Sequence, residues 1–338
     1  MPDEIWITCT LPVSAAAQER IRAVDERIRL HVLSRDAARR LNDPQREVDD
    51  PAAADEEVRA ALAAAEIWFG FSWPEMKFPS TDGKLRWIQL ASAGAEGLLN
   101  QQPPQHLQLT NSSGLAATPI GEWVLTFMLM HAKQMPLALD QQRNATWKRY
   151  RVTTLRDSTV AVIGLGAIGG EVARLSHAFG ARVIATRRSA QPGDSAEFVD
   201  ALFPADALHE VLAQADYVAL CVPGTNETRR LIGAAELAGM QPNAVLINIA
   251  RGTVVDWGAM CDALRASNLA AVYTDVSDPE PLPPDDPSWQ VPNLFITPHN
   301  SGNQPDYVDR AADLLIENLR RYLQSEPLAN VVEPERGY

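Results

Sequence analysis

Lysine is nearly missing from this 338-residue chain: Lys77, Lys84, Lys133 and Lys148 are all it has, and arginine supplies the rest of its 30 basic residues. No run of Lys and Arg builds a basic face, and the formal charge is −13. A polyanion would find nothing to neutralise it, which argues against nucleic-acid binding. Cysteine is scarce too. Cys9, Cys221 and Cys261 lack metal-ligand spacing, and Cys9 and Cys221 fall in strand-like apolar runs where small buried thiols are common. No apolar run approaches the roughly eighteen residues that span a bilayer. The opening "MPDEIWITCTLPV" carries acids where a signal peptide needs a basic region. These absences point to a cytoplasmic protein without membrane, metal or nucleic acid.

What is present suits a globular protein of two domains, each able to bury its own core, with 46% hydrophobic and 22% charged residues. From Ile5 to about Leu109, "IWIT", "EIWFGF", "LRWIQLAS" and "LQLT" read as strands. "SAAAQERIRAVDERI" and "DEEVRAALAAA" read as amphipathic helices. A long apolar helix is expected from Pro119 to Gln142, capped by Thr118, with Pro119 in its first turn. Its Trp123, Phe127, Met128 and Met130 suit burial between domains or subunits. A second series opens at Thr159. "TVAVIG", "ARVIAT", "DYVALCVP", "AVLINIA", "LAAVYTD" and "NLFIT" are near-continuous apolar strands, separated by helices over 168–179, 206–213 and 257–266. A last helix, Pro305 to Gln324, presents Ala311, Leu314, Leu315, Asn318, Leu319 and Tyr322 on one face, which is expected to return to the first domain. "DPEPLPPDDPSWQVP" reads as a stiff loop with Trp289 to pin it. The alternation predicts an α/β fold with doubly wound parallel sheets.

Gly164, Gly166 and Gly169 match the Gly-x-Gly-x-x-Gly fingerprint, with a strand before and a helix after. The first permits a tight turn, the second lets a pyrophosphate approach the backbone, and the third allows helix and strand to pack closely. Amides near Ala167 and Ile168 would face the phosphates at the positive end of the helix. About twenty residues on, where an NAD site offers an acid, this chain has Thr186, Arg187 and Arg188. Arginines there favour a 2′-phosphate, hence NADP(H), with NAD(H) as the alternative; equally, surface arginines can simply point to solvent.

Three further motifs fall just past strand ends. "INIARGTVVD" brings Arg251, "TDVSDPEPLP" brings Asp275 and Glu280, and "ITPHNSG" brings His299. In an open parallel sheet such residues converge on the ligand crevice. His299 can donate a proton to a ketone oxygen as hydride arrives, Glu280 can hold the imidazole, and Arg251 can bind a substrate carboxylate and polarise the carbonyl.

Through these motifs, and through "WIQLASAGAEGLL", "LTNSSGLAATPIGEWVL", "VPGTNETRRLIG" and "LRRYLQSEPLANVV", the chain resembles the D-isomer-specific 2-hydroxyacid dehydrogenases, glyoxylate and hydroxypyruvate reductases among them. The resemblance implies that Arg251, Glu280 and His299 are catalytic and that Asp275 meets the nicotinamide carboxamide. It implies that Ser92, Ala93 and Gly94 offer amides to the substrate carboxylate, that Pro223 and Thr228 wall the adenosine pocket, and that Ile249 lies near the nicotinamide. It also implies two Rossmann-like domains: a substrate domain of residues 1–106 and 300–338, split around a cofactor domain of 107–299. A homodimer built on the cofactor domains, closure of an interdomain cleft and no metal follow from the same likeness. Asn300 stands where an apolar residue is usual and Ser277 where an aromatic often does, so a more polar pocket is expected.

The reaction expected is reduction of a small 2-keto acid to the D-2-hydroxy acid. Two other readings keep the fold. A formate or phosphite dehydrogenase typically pairs its histidine with glutamine, which Glu280 argues against. A cofactor-sensing corepressor or scaffold would not need the complete Arg, Glu and His set.

Overall fold

The structure, a computed structural model, describes residues 4–42, 51–73, 78, 83–191 and 193–335. Met1–Asp3 and Lys77, used above in reading the N-terminus and the lysines, lie outside the described residues. The chain divides into two compact units, Met1–Leu115 with Gln304–Tyr338, and Ala116–Asn303.

The first unit runs β1 (Ile5–Cys9), α1 (Ala15–Arg22), β2 (Ile28–Val32), α2 (Arg35–Asn42), α3 (Pro51–Ala64), β3 (Ile67–Gly70), β4 (Trp87–Leu90), α4 (Glu96–Leu99) and β5 (Gln108–Thr110). Its strands are all parallel, in the order β2-β1-β3-β4-β5, a doubly wound arrangement. The sheet is covered on both faces: Ile7, Cys9, Ile67, Phe69 and Trp87 lie in one apolar cluster, and Trp68, Ile88 and Leu90 in another. Ser14 caps α1 by accepting from the Ala17 amide.

Two expectations fail here. The helix anticipated through Ile28 ends at Arg22, and "IRLHV" becomes edge strand β2, with Ile28 buried and Arg29 exposed. The expected boundary after residue 106 shifts to Leu115, because β5 hydrogen-bonds to β4 and Leu107 and Leu109 are buried in this unit's core.

The second unit runs α5 (Ala117–Ala132), α6 (Met135–Arg143), β6 (Thr159–Ile163), α7 (Ala167–Ala178), β7 (Arg182–Thr186), β8 (Ala201–Phe203), α8 (Leu208–Leu212), β9 (Tyr217–Leu220), α9 (Ala234–Gly239), β10 (Val245–Asn248), α10 (Trp257–Arg265), β11 (Ala271–Thr274) and β12 (Leu294–Ile296). Its parallel sheet has the order β12-β11-β10-β9-β6-β7-β8. The direction of winding reverses between β6 and β9, so the ligand crevice of this topology opens there.

The single long helix expected over 119–142 is two. Gln134 takes a left-handed φ of 54°, which breaks the helix, and Pro136 opens the next one. Thr118 is not its cap: α5 starts at Ala117, and Ala116 stands at the N-cap position without a side-chain bond. Val124, Phe127, Met128 and Ala132 bury α5 against the sheet. The second expected boundary, at 299/300, moves to 303/304, because Asn300 and Ser301 hydrogen-bond to Asp275 of this unit.

Helix α11 (Tyr307–Leu323) returns to the first unit. Ala311, Ala312, Leu315, Ile316 and Leu319 pack on the core around Ile7 and Phe69. Asn318 is fully buried beneath them: its amide donates to Gln89 Oε1 at 3.0 Å and to the Ala329 carbonyl at 3.1 Å, and its oxygen accepts from the Ala329 amide at 2.7 Å. Thr110 and Trp87 extend this network, with Trp87 Nε1 donating to Thr110 Oγ1 and Thr110 Oγ1 to Gln89 Oε1, both at 2.8 Å. Every buried polar atom named here has a partner, as a buried network requires.

Candidate active site

The crevice begins at the turn after β6. Gly164 has φ +97°, and a Cβ there would lie 2.9 Å from the Cys221 carbonyl oxygen; one at Gly169 would lie 2.1 Å from the Gly164 carbonyl oxygen. Side chains at both positions are thus forbidden by the protein's own packing. Gly166 differs, since a Cβ there meets nothing within 4 Å. It opens on empty space at the N-terminus of α7, which no side chain caps. First-turn amides beside an open glycine form a fitting cradle for a pyrophosphate. Ala167 is exposed and Ile168 half-buried at this rim. The turn is tied to β7: the amides of Gly164 and Leu165 both donate to the Thr186 carbonyl, at 3.2 and 3.0 Å.

Arg187 and Arg188 leave the end of β7. Arg187 Nη2 lies 3.6 Å from Asp194, and Arg188 Nη1 3.5 Å from Glu227. Glu227 sits on the loop after β9, which Thr228 stiffens by donating to the Pro223 carbonyl at 2.6 Å. On this loop Thr228 is half-buried and Pro223 exposed. Ile249, just past β10, is buried in the core against the sheet.

Strands β10, β11 and β12 are neighbours, and Arg251, Glu280 and His299, the three candidate catalytic residues, follow their consecutive ends. His299 Nδ1 stands 2.6 Å from Glu280 Oε1, with both side chains open to solvent on one side (48% and 41% exposed). Glu280 is a hydrogen-bond acceptor, so Nδ1 carries the hydrogen and Nε2 is the ring nitrogen left to act. Glu280 Oε2 also accepts from the Ser277 amide at 3.4 Å. The Arg251 loop is packed against that same segment: a Cβ at Gly252 would fall 1.9 Å from the Ser277 carbonyl oxygen. Asn248 shapes the loop further, donating to the Arg251 carbonyl and accepting from the Ala250 amide. Arg251 Nη1 donates to the Ala250 carbonyl at 2.8 Å.

Asp275 is 1% exposed and occupied with the next loop. Its Oδ1 accepts from Thr297 Oγ1 at 2.6 Å and the Asn300 amide at 2.9 Å, and its Oδ2 from the Ser301 amide at 2.8 Å. Three of a carboxylate's roughly four acceptor directions are therefore spent inside the protein. His299 itself has a left-handed φ of 53°, uncommon for a residue with a side chain, and Asp275 supports that backbone. Ser277 is buried and turned inward, its hydroxyl donating to the Pro279 carbonyl at 2.8 Å. Trp289 does pin the proline-rich loop, donating to the Pro283 carbonyl at 2.8 Å.

In the first unit, Ser92, Ala93 and Gly94 form a surface loop held by its carbonyls. Asn111 Nδ2 donates to the Ala93 carbonyl at 2.8 Å, and Ser92 Oγ to those of Phe71 and Gly94. Among the described residues no acceptor takes the three amides of this loop. Sequence reasoning missed Thr297, Gly252, Asp194 and Glu227. Thr297 and Gly252 adjoin motif residues and could have been read from "ITPHNSG" and "ARG"; the two acids carry no local signal. Among the described residues no group of three or more His, Cys, Asp or Glu is placed to hold a metal, and no helix is long and apolar enough to cross a membrane.

Comparison with known proteins agrees with this architecture. Residues 125–301 match the family described as D-isomer specific 2-hydroxyacid dehydrogenase, NAD binding domain. A glyoxylate reductase of Aeropyrum pernix is 32% identical over 242 residues, covering 68% of this chain and 70% of that one. The crystal structure of a D-isomer specific 2-hydroxyacid dehydrogenase family protein from Aeromonas salmonicida subsp. salmonicida A449 superposes with a TM-score of 0.82 at 27% identity, over 98% of this chain and 99% of that one. A D-isomer specific 2-hydroxyacid dehydrogenase from Xanthobacter autotrophicus Py2, in complex with NADPH and MES, superposes with a TM-score of 0.80 at 26% identity, over 99% of this chain and 100% of that one. The chain belongs to the D-isomer specific 2-hydroxyacid dehydrogenases, oxidoreductases that use a nicotinamide cofactor.

Proposed function

We propose that this protein reduces a small 2-keto acid of the glyoxylate or hydroxypyruvate kind to the D-2-hydroxy acid. The observation that carries the reading is the 2.6 Å contact between His299 Nδ1 and Glu280 Oε1. It fixes the tautomer that leaves Nε2 to hand a proton to the ketone oxygen, or to take one from the hydroxyl in the reverse direction. Arg251 binds the carboxylate and polarises the carbonyl through a charge that needs no proton exchange. A bound nicotinamide cofactor supplies the hydride. The residues that would hold it are Gly164, Gly166, Ala167, Ile168 and Gly169 at the pyrophosphate, Pro223 and Thr228 at the adenosine, and Ile249 and Asp275 toward the nicotinamide. The unspent amides of Ser92, Ala93 and Gly94 are anion-binding groups of the kind a carboxylate uses. The likeness to a glyoxylate reductase supports the substrate class.

Arg187 and Arg188 support NADP(H) over NAD(H), because a 2′-phosphate gains charge-assisted bonds there and a free ribose does not. Steady-state comparison of NADPH and NADH across glyoxylate, hydroxypyruvate, pyruvate and phenylpyruvate tests substrate and cofactor together. Turnover of glyoxylate or hydroxypyruvate with NADPH ahead of NADH is expected; turnover of none of the four acids refutes the reading.

A homodimer is the proposed assembly. Trp147 is 97% exposed on an extended segment after α6, beside Lys148, Arg149 and Tyr150. On the same unit an apolar groove of about 600 Å³ runs along edge strand β12, lined by Trp123, Phe127, Met130, Trp289 and Phe295. An unpaired aromatic and an open apolar groove on one chain suit a self-complementary contact between two copies.

A further inference from the structure

The two arginines beyond β7 are not idle. Each faces an acid from another part of the chain: Arg187 faces Asp194, seven residues on, and Arg188 faces Glu227, across the sheet. The second pair is the more telling. Strand β6 lies between β7 and β9, so an ion pair joining the end of β7 to the loop after β9 spans two strand spacings, about 10 Å, beside the glycine turn. The pair therefore engages Arg188, one of the two arginines read above as ligands of a 2′-phosphate.

Neither pair is strong. At 3.6 and 3.5 Å, with Glu227 76% exposed, they are weak surface ion pairs, screened by solvent. Arg187 is also imperfectly satisfied, because among the described residues its Nε is buried without an acceptor. A buried donor left unmet is costly, so this pose of Arg187 is one that a better acceptor can displace. The Asp194 carboxylate is held in place for its part, accepting from the Gln191 amide at 3.0 Å. Glu227 rides on a loop braced by the Thr228 hydroxyl, which accepts from the Thr225 amide and donates to the Pro223 carbonyl, and by the Thr225 hydroxyl, which accepts from the Thr228 amide.

We propose that Asp194 and Glu227 are resident counter-ions that hold Arg187 and Arg188 until a 2′-phosphate replaces them, and that they thereby limit how strongly the protein prefers NADP(H) to NAD(H). The inference rests on the reading of the two arginines as 2′-phosphate ligands. Two effects act together: the phosphate must break the resident pairs, and any part of it bound by Arg188 lies within reach of the Glu227 charge. Both oppose the phosphorylated ligand and leave the unphosphorylated one untouched.

The test uses the full chain and two fragments of the cofactor, 2′,5′-ADP and 5′-ADP, titrated calorimetrically, so that no turnover is involved. Glu227→Gln and Asp194→Asn keep shape and hydrogen bonding while removing charge. Each is expected to tighten 2′,5′-ADP by about three- to ten-fold, with 5′-ADP unchanged. Arg187→Ala and Arg188→Ala are expected to weaken 2′,5′-ADP alone. If the arginine variants do so while Glu227→Gln and Asp194→Asn leave 2′,5′-ADP no tighter, the counter-ion inference is overturned and the NADP(H) reading stands. If the wild type does not distinguish the two fragments and the arginine variants change nothing, both fall.

Discussion

The amide of His299 donates to the carbonyl of Asp275 at 2.8 Å, and the two amides that follow, of Asn300 and Ser301, close on the Asp275 carboxylate at 2.9 and 2.8 Å. One buried acid thus shapes the loop that carries the proposed proton donor. Asp275→Ala strands the Asn300 and Ser301 amides and the Thr297 hydroxyl. It should cost about 1–3 kcal/mol in a urea titration. It should also lower kcat for keto-acid reduction by at least about ten-fold, the loop no longer holding His299 in its left-handed conformation. Unchanged kcat would show that the clamp has no bearing on the histidine.

The tail of the chain offers a prediction about folding. Asn318 joins α11 to Gln89 and Ala329 through three hydrogen bonds at full burial. Asn318→Leu leaves the Ala329 amide and carbonyl without partners and should destabilise the protein by about 2–4 kcal/mol. Chemical denaturation measures this directly, and a change under 1 kcal/mol would mean water or a shifted tail takes over those bonds.

Thiol chemistry provides a third check. Burial pushes the Cys9 thiol up to about 12, against one lowering contact, its bond to the Leu11 carbonyl. Cys221 is likewise pushed up to about 12 by burial. Only the thiolate reacts rapidly with iodoacetamide, and it is scarce well below those values. At pH 8 in the native state Cys9 and Cys221 should therefore resist alkylation that proceeds readily once the chain is unfolded, as peptide mass analysis would show. Rapid native labelling of Cys9 would contradict its placement inside β1.

For assembly, sedimentation of the wild type should show a dimer, and Trp147→Ala should weaken it by about thirty-fold or more, as expected for truncating a buried aromatic anchor. A wild-type monomer at micromolar concentration would refute the proposed use of Trp147.

Much of the fold was legible because the second unit's strands, such as "TVAVI" and "AVLINIA", are unbroken apolar runs between turn residues. What escaped did so for physical reasons. Edge strand β2 exposes Arg29 and leaves Leu30, His31 and Val32 only half-buried, so its pattern merges with the helix pattern before it. Strand β8 is three residues long at the other edge, too short for a period to register. The break at Gln134 has no glycine to announce it. At the site, Arg251, Glu280 and His299 could be seen because each closes a strand motif. The resemblance assigned Asp275 to the nicotinamide, and its internal role became visible only once Thr297, Asn300 and Ser301 were in place. Glu227 meets Arg188 from 39 residues away, a separation no local pattern encodes.

The central claim is that His299, held by Glu280, exchanges the proton in keto-acid reduction. The most direct measurement compares NADPH oxidation with glyoxylate by the wild type and by His299→Asn, a substitution that tolerates the left-handed backbone, alongside calorimetric NADPH binding. The account predicts wild-type turnover, a loss of kcat of about 10²–10⁴-fold in the variant, and unchanged NADPH affinity. A variant that keeps wild-type kcat, or a wild type that binds NADPH and reduces neither glyoxylate nor hydroxypyruvate, would contradict it.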